Sequence, residues 1–125
     1  TPQIAAAVET VMEPFNVNTA AQVAALAALE DYDHLKKSFA LNADGKQYLY
    51  RELEKMGLPY VPTESNFILL DVQRDCRSVF QSLLTKGVIV RTGDIFGYPH
   101  HIRVTVGSEE QNRRFIESLQ EILNS

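Results

Sequence analysis

The chain has 125 residues, 45% of them hydrophobic and 22% charged, which fits one ordinary globular domain and excludes a fibrous or low-complexity chain. Its net charge is −4, with lysine and arginine scattered rather than clustered, which argues against nucleic acid as the main partner. No window approaches the roughly 20 apolar residues of a membrane span, and the lone Cys76 cannot build an intramolecular disulfide, so a soluble, cytoplasmic protein is expected.

The sequence opens at Thr1, without a Met, directly into a helical pattern, and so reads as a piece of a longer chain. Ala-rich helices are expected over residues 3–12 and 19–30, separated by Glu13-Pro14-Phe15-Asn16-Val17-Asn18, where Pro14 and the asparagines break the period. Asn18 or Thr19 can cap the second helix. Its alanines at 20, 21, 24, 25, 27 and 28 leave small faces on more than one side, suited to packing against something outside these residues.

A long helix is expected from about 33 to 56, because Leu35, Phe39, Leu49, Leu53 and Met56 recur at helical spacing before Gly57 stops it. It would be roughly 35 Å long, and Asn42 and Gly45 weaken its middle enough to allow a kink. Beyond Gly57 the period changes to two. Pro59 to Val61 reads as a short edge strand, Pro62-Thr63-Glu64-Ser65 as a turn, and about 66–72 as a strand.

Asp75 can cap the next helix, with Val79, Phe80, Leu83 and Leu84 as its inner stripe and Gly87 as its left-handed stop. Strands follow at about 88–91 and 102–106, joined by a loop holding Gly93, Gly97 and Pro99. Ser108 and Gln111 stand at capping-box spacing before a last helix whose inner stripe is Phe115, Ile116, Leu119, Ile122 and Leu123. A right-handed crossover makes the first two strands parallel and lets the third slot between them, antiparallel to both. The expected class is α+β, a small mixed or antiparallel sheet with helices on one face.

The charged residues of interest are Arg91 and Arg103. In a hairpin centred on Gly97, 91 pairs with 103, 90 with 104 and 88 with 106, which puts Val88, Val90, Ile102, Val104 and Val106 on one face. Ile89, Thr105 and both arginines then share the other. Directly opposite Cβ atoms lie about 5 Å apart, and two unit charges about 4 Å apart at an effective dielectric near 20 repel by about 4 kcal/mol, less if the side chains splay. An anion between them reverses that sign, and guanidinium forks suit carboxylate or phosphate. The alternative is that each arginine pairs with a surface acid such as Asp71 or Asp94. His100 and His101 point to opposite sides of a strand and His34 is remote in sequence, so no metal site is expected. Tyr48 and Tyr50 cannot share one helical face and are expected on the long helix's flank.

Phe15-Asn16-Val17-Asn18 before an Ala-rich helix, Leu41-Asn42-Ala43-Asp44-Gly45, Ser65-Asn66-Phe67-Ile68-Leu69-Leu70, Gly87-Val88-Ile89-Val90-Arg91 and Ile102-Arg103-Val104-Thr105-Val106-Gly107 form an ordered set. In order and spacing this set resembles the histidinol-phosphate aminotransferase family, within the fold-type I, class I and II aminotransferases, over essentially the whole chain. The resemblance implies a two-domain parent about three times as long, a homodimer, in which 1–32 is a helical segment adjoining a large domain absent here and 33–125 is the C-terminal small domain. It implies pyridoxal 5'-phosphate held through a lysine in the large domain, inside a Ser-Lys motif followed by Gly-x-Arg-x-Gly. Neither motif is in these 125 residues. Lys86 follows Thr85, but at a helix end, where it reads as a solvated lysine favourable to the dipole.

The resemblance therefore implies no catalytic residue and no bound cofactor in this stretch. It makes Arg103 the arginine that holds the carboxylate of a small, amino-acid-like anionic substrate, and Arg91 a second arginine near it. Phe15 stands where some members have a Tyr whose hydroxyl reaches the substrate phosphate across the dimer interface, a bond Phe cannot donate. Asn16 and Asn18 are near the same site by resemblance, or are turn residue and helix cap by composition. Ser65-Asn66 reads simply as a strand-entry turn. Close variants are threonine-phosphate decarboxylase and an aromatic aminotransferase. Readings of another class are a free-standing regulatory module binding a small ligand and a purely structural dimerisation domain.

Overall fold

The computed structural model describes residues 1–12 and 15–124; Pro14, the expected breaker, lies outside the described residues. The chain divides into two compact units, Thr1–Lys37 and Ser38–Ser125.

In the first unit, α1 (Pro2–Val11) has proline in its first turn, where the missing N–H costs nothing. Asn18 caps α2 (Thr19–Glu30), its side-chain oxygen accepting from the Ala21 amide at 2.9 Å. Neither helix buries a single residue, and Ile4, Val11, Val23, Leu26 and Leu29 are all exposed. Both helices thus hold together by local hydrogen bonds, with apolar faces that nothing in their own unit covers.

Helix α3 (Tyr32–Lys55) begins in this unit and carries Leu49 and Leu53, both fully buried, into the core of the second. It runs unbroken past Asn42 and Gly45 and ends at Gly57, whose φ of 66° is the left-handed stop expected there. Gly45 has a packing reason to be glycine. A Cβ built on it would lie 2.6 Å from Val106 Cγ1 and 2.9 Å from Asn112 Nδ2, so the glycine lets the helix backbone approach the end of a strand. Leu35 and Phe39, which recur at the same helical spacing as Leu49 and Leu53, are exposed.

The second unit is the α+β layer. Its strands are β1 (Tyr60–Val61), β2 (Phe67–Asp71), β3 (Arg91–Thr92) and β4 (His101–Thr105), in the order β1-β2-β4-β3 with every neighbouring pair antiparallel. β4 slots between β2 and β3 as the crossover argument requires. The strand expected over 88–91 is observed only at Arg91–Thr92, overlapping the expected range at Arg91 alone. Gly87 (φ 72°) turns the chain out of α4 (Cys76–Thr85), and the Val88 amide goes back to the Leu83 carbonyl at 3.0 Å instead of to a neighbouring strand. On the β4 side, the Val106 amide is taken by Asn66 at 2.8 Å. Val90 still buries its side chain, so the face assignment holds where the ladder does not.

Helix caps follow the sequence. Asp75 accepts from the Ser78 amide at 2.8 Å at the start of α4. Ser108 and Gln111 form the reciprocal box before α5 (Glu109–Asn124), the Ser108 amide donating to Gln111 Oε1 at 2.9 Å and the Gln111 amide to Ser108 Oγ at 3.3 Å. Buried Asn112 adds a clamp that periodicity does not announce, accepting from the Gly107 amide at 2.9 Å and donating to its carbonyl at 3.0 Å.

One core joins Ile68, Leu70, Ile102 and Val104 of the sheet to Leu49 and Leu53 of α3, Val79 and Leu83 of α4, and Phe115, Ile116 and Leu119 of α5. Cys76 completes the α4 stripe at the i, i+3, i+7 spacing with Val79 and Leu83, while Leu84 is exposed. Tyr48 and Tyr50 flank this core; Tyr50 stacks on Tyr60 with ring centroids 4.4 Å apart and accepts from the Thr63 amide at 3.0 Å. Among the described residues no helix is long and apolar enough to cross a membrane.

Candidate functional site

The alternation that sends Ile68, Leu70, Ile102 and Val104 inward sends Phe67, Leu69, Asp71, His101, Arg103 and Thr105 to the opposite face of the sheet. There Leu69 pairs with Arg103, and on the other side of β4 Arg103 pairs with Arg91. The register expected from the sequence, 91 opposite 103, is therefore the observed one. Arg103 is half-buried and Arg91 exposed, with Ile89 beside it almost wholly in solvent.

What surrounds the two guanidinium groups decides what they can do. Among the described residues neither has a carboxylate within 4.0 Å. The Arg103 Cζ lies 4.8 Å from the centroid of the Phe67 ring, and the Arg91 Cζ lies 5.5 Å from that of Phe96. Each cation rests against an aromatic π face, which attracts it without taking any of its N–H donors. Directly opposed cations with free donors are an arrangement that a carboxylate or phosphate would stabilise.

The acids that the alternative reading offered as partners are engaged elsewhere. Asp71 accepts from the Gln73 amide at 2.8 Å. Asp94 accepts from Arg77 Nε at 2.6 Å and from the Cys76 thiol at 3.7 Å. Hydrogen bonds from Thr92 first, and then from Arg77, hold the Asp94 carboxyl down at about 2.

His101 shares the arginine face. Its ring sits edge-on to Tyr98 at 5.3 Å, and its Nδ1 is buried without a hydrogen-bond partner among the described residues. His100 points away, its Nδ1 3.1 Å from the Arg74 carbonyl oxygen. Among the described residues no three His, Cys, Asp or Glu side chains gather as a metal site would need. Lys86 forms an ion pair with Glu121 at the end of α4. Phe15 stands exposed in the turn before α2 with φ of 64°, and it and Asn16 belong to the first unit, whereas the arginines belong to the second. Parity along β2 could have found Phe67; nothing in the pattern marks Phe96 as the neighbour of Arg91.

A histidinol-phosphate aminotransferase from Moorella thermoacetica is 59% identical over 122 residues, which cover 98% of this chain and 32% of that enzyme. One from Symbiobacterium thermophilum is 48% identical, over 98% of this chain and 34% of that enzyme. The chain thus spans about a third of the length of these curated relatives. The crystal structure of histidinol-phosphate aminotransferase from Sinorhizobium meliloti in complex with pyridoxal-5'-phosphate matches with a TM-score of 0.76 at 25% identity, over 99% of this chain and 35% of that one. A sheet that leaves two arginines unpaired on its open face, these likenesses, and a match of residues 1–119 to the family described as aminotransferase class I and II lead to one statement: the chain belongs to that family.

Proposed function

We propose that this chain is the C-terminal small domain of a pyridoxal-phosphate-dependent histidinol-phosphate aminotransferase, a cytoplasmic homodimer that moves an amino group from histidinol phosphate to 2-oxoglutarate in histidine biosynthesis. In this reading residues 1–32 adjoin the large domain of the parent, and 33–125 are the small domain. The exposed apolar faces of α1 and α2 support the first assignment, since burying them against a further domain would remove that surface from water.

The observation that carries the functional reading is the direct pairing of Arg91 and Arg103 on the open face, with no carboxylate of the described residues near either. Histidinol phosphate carries a phosphate ester where glutamate carries its carboxylate. Two unneutralised guanidinium groups can grip either anion in turn, so one pocket serves both half-reactions. Arg103, half-buried, paired with Leu69 and set against the Phe67 ring, is the more enclosed member of the pair; Arg91, at the exposed edge, is the more open one. Phe15 and Asn16 are placed near the site only by the resemblance.

The cofactor, when bound in the parent, supplies the electron sink for amino-group transfer. The residues of this chain do not fit the task of holding it. Lys86, the lysine that follows a hydroxyl residue, is engaged with Glu121 at a helix end.

Arg103→Ala in the full-length parent tests the reading. Productive binding of histidinol phosphate should weaken strongly while the visible absorbance of the bound cofactor stays intact, and unchanged kinetics would remove Arg103 from the site. The 125-residue chain alone should keep no cofactor after stoichiometric loading and dialysis. Tight, selective binding of histidinol phosphate or glutamate by it alone would instead favour a free-standing ligand-binding module.

A further inference from the structure

Arg91 and Asp94 are three residues apart and of opposite charge, yet they do not pair. The Asp94 carboxylate is tied to the N-terminal end of α4 by Arg77 Nε at 2.6 Å and the Cys76 thiol at 3.7 Å, with a third hydrogen bond from the Thr92 side chain. This anchors the start of a short 3-10 turn, Asp94–Phe96, closed by the Phe96 amide on the Gly93 carbonyl at 2.9 Å and the Gly97 amide on the Asp94 carbonyl at 3.0 Å. The entry to the turn is equally tight, since a Cβ on Gly93 would lie 2.8 Å from the His101 and Tyr98 carbonyl oxygens.

The last residue of the turn is Phe96. It is 60% exposed, too open to serve the core, and its ring is what the Arg91 guanidinium rests on, 5.5 Å from the centroid. A carboxylate in that place would neutralise the arginine and occupy its donors; a ring face limits the directions of the guanidinium plane and leaves the donors free.

We propose that Phe96 is a positioning residue for Arg91, and that the Arg77–Asp94 ion pair holds it there so that Arg91 presents unused donors to the substrate anion. This rests on the reading of Arg91 as an anion-binding residue. Phe96 itself touches no substrate. It acts by keeping an exposed, flexible side chain from sampling orientations in which it cannot bind.

The test uses the full-length aminotransferase with Phe96→Leu, Phe96→Tyr, Asp94→Asn, Arg91→Ala and the double variant Phe96→Leu/Arg91→Ala. Two readouts are taken: KM against kcat for histidinol phosphate, and the Kd of inorganic phosphate by calorimetry. Phe96→Leu should raise KM and the phosphate Kd about threefold to tenfold, the size of a partly exposed cation–π contact, with little change in kcat. Phe96→Tyr, which keeps the ring, should restore wild-type values, and Asp94→Asn should shift both constants in the same direction by less. In the Arg91→Ala background, Phe96→Leu should add nothing. A phosphate Kd unchanged by Phe96→Leu, where Arg91→Ala weakens it, would overturn the positioning role and leave the arginine reading standing. So would a loss that persists undiminished in the Arg91→Ala background, because it would not act through Arg91. If Phe96→Leu does not fold, an unchanged phosphate Kd in Asp94→Asn overturns the proposal by itself. If Arg91→Ala changes neither constant, the anion-binding reading of Arg91 has failed and the positioning role falls with it.

Discussion

The two faces of the sheet are made by alternating residues of the same strands and have opposite character. On one, Ile68, Leu70, Ile102 and Val104 enter a core closed by α3, α4 and α5. On the other, Phe67, Leu69, Arg91 and Arg103 stand half-buried or exposed, with two cations opposite each other. Full burial of an aliphatic side chain stabilises a fold by about 1.5–3 kcal/mol, whereas opposed arginines contribute nothing and repel. The inner face therefore accounts for stability, and the outer face keeps an arrangement that stability alone does not favour. The proposed anion-binding role would account for keeping such an arrangement.

The largest test of that division is Ile102→Ala. Ile102 is fully buried, paired with Leu70 on one side and Thr92 on the other, and its truncation should cost about 2–5 kcal/mol in urea unfolding of the chain. A loss under about 1 kcal/mol would mean that the inner face is not where the stability lies. One position further along β4, Arg103→Ala should leave the unfolding free energy within about 0.5 kcal/mol of the native chain's. In the full-length parent it should weaken substrate binding by about tenfold to a hundredfold, the range for a lost hydrogen-bonding partner of a charged group. A variant that unfolds easily would place Arg103 among the structural residues and blur the comparison.

Much of this contrast is legible in the sequence, because period two fixes faces with little help from tertiary context. The register of Arg91 opposite Arg103 follows from the valines around them, and Asn18, Asp75, Gly57, Gly87 and the Ser108–Gln111 box declare the helix ends by local chemistry. Contacts that depend on distant pairs were not legible. Whether Arg91 meets Asp94 or another group is decided by Arg77, 17 residues from Asp94, which captures the acid first. The β-propensity of Val88, Ile89 and Val90 suggests a longer strand, but the left-handed exit at Gly87 sends the Val88 amide to Leu83. Leu84, expected on the inner stripe of α4, is exposed, and Cys76, which was not named there, is buried in its place, since a buried stripe on a helix is set by the neighbour it meets as well as by spacing.

Gly45 sharpens the comparison from the inner side. Alanine there gains about 1 kcal/mol of helix propensity. Its Cβ would enter contacts of 2.6 Å with Val106 and 2.9 Å with Asn112, and overpacking of this kind costs about 1–3 kcal/mol. A net loss of roughly 1 kcal/mol is expected in urea unfolding, the difference of these two effects. A net gain would show that α3 and the end of β4 can separate freely.

The smallest effect concerns the edge where the two faces meet. Asp94, held at about 2 by hydrogen bonds from Thr92 and Arg77, has its carboxyl lowered from an ordinary value of 3.8. A depressed carboxyl binds protons less readily in the folded chain than in the unfolded one, so its contribution is present above pH 4, roughly, and is lost as pH falls toward about 2. Asp94→Asn should therefore be slightly less stable than the native chain near neutral pH, and the gap between the two unfolding midpoints should close across that acid window. A gap that stays constant from neutral pH down to about 2 would mean that the Arg77–Asp94 contact acts through shape rather than charge. The turn beneath Arg91 would then be held by its backbone hydrogen bonds and glycines instead of by the ion pair.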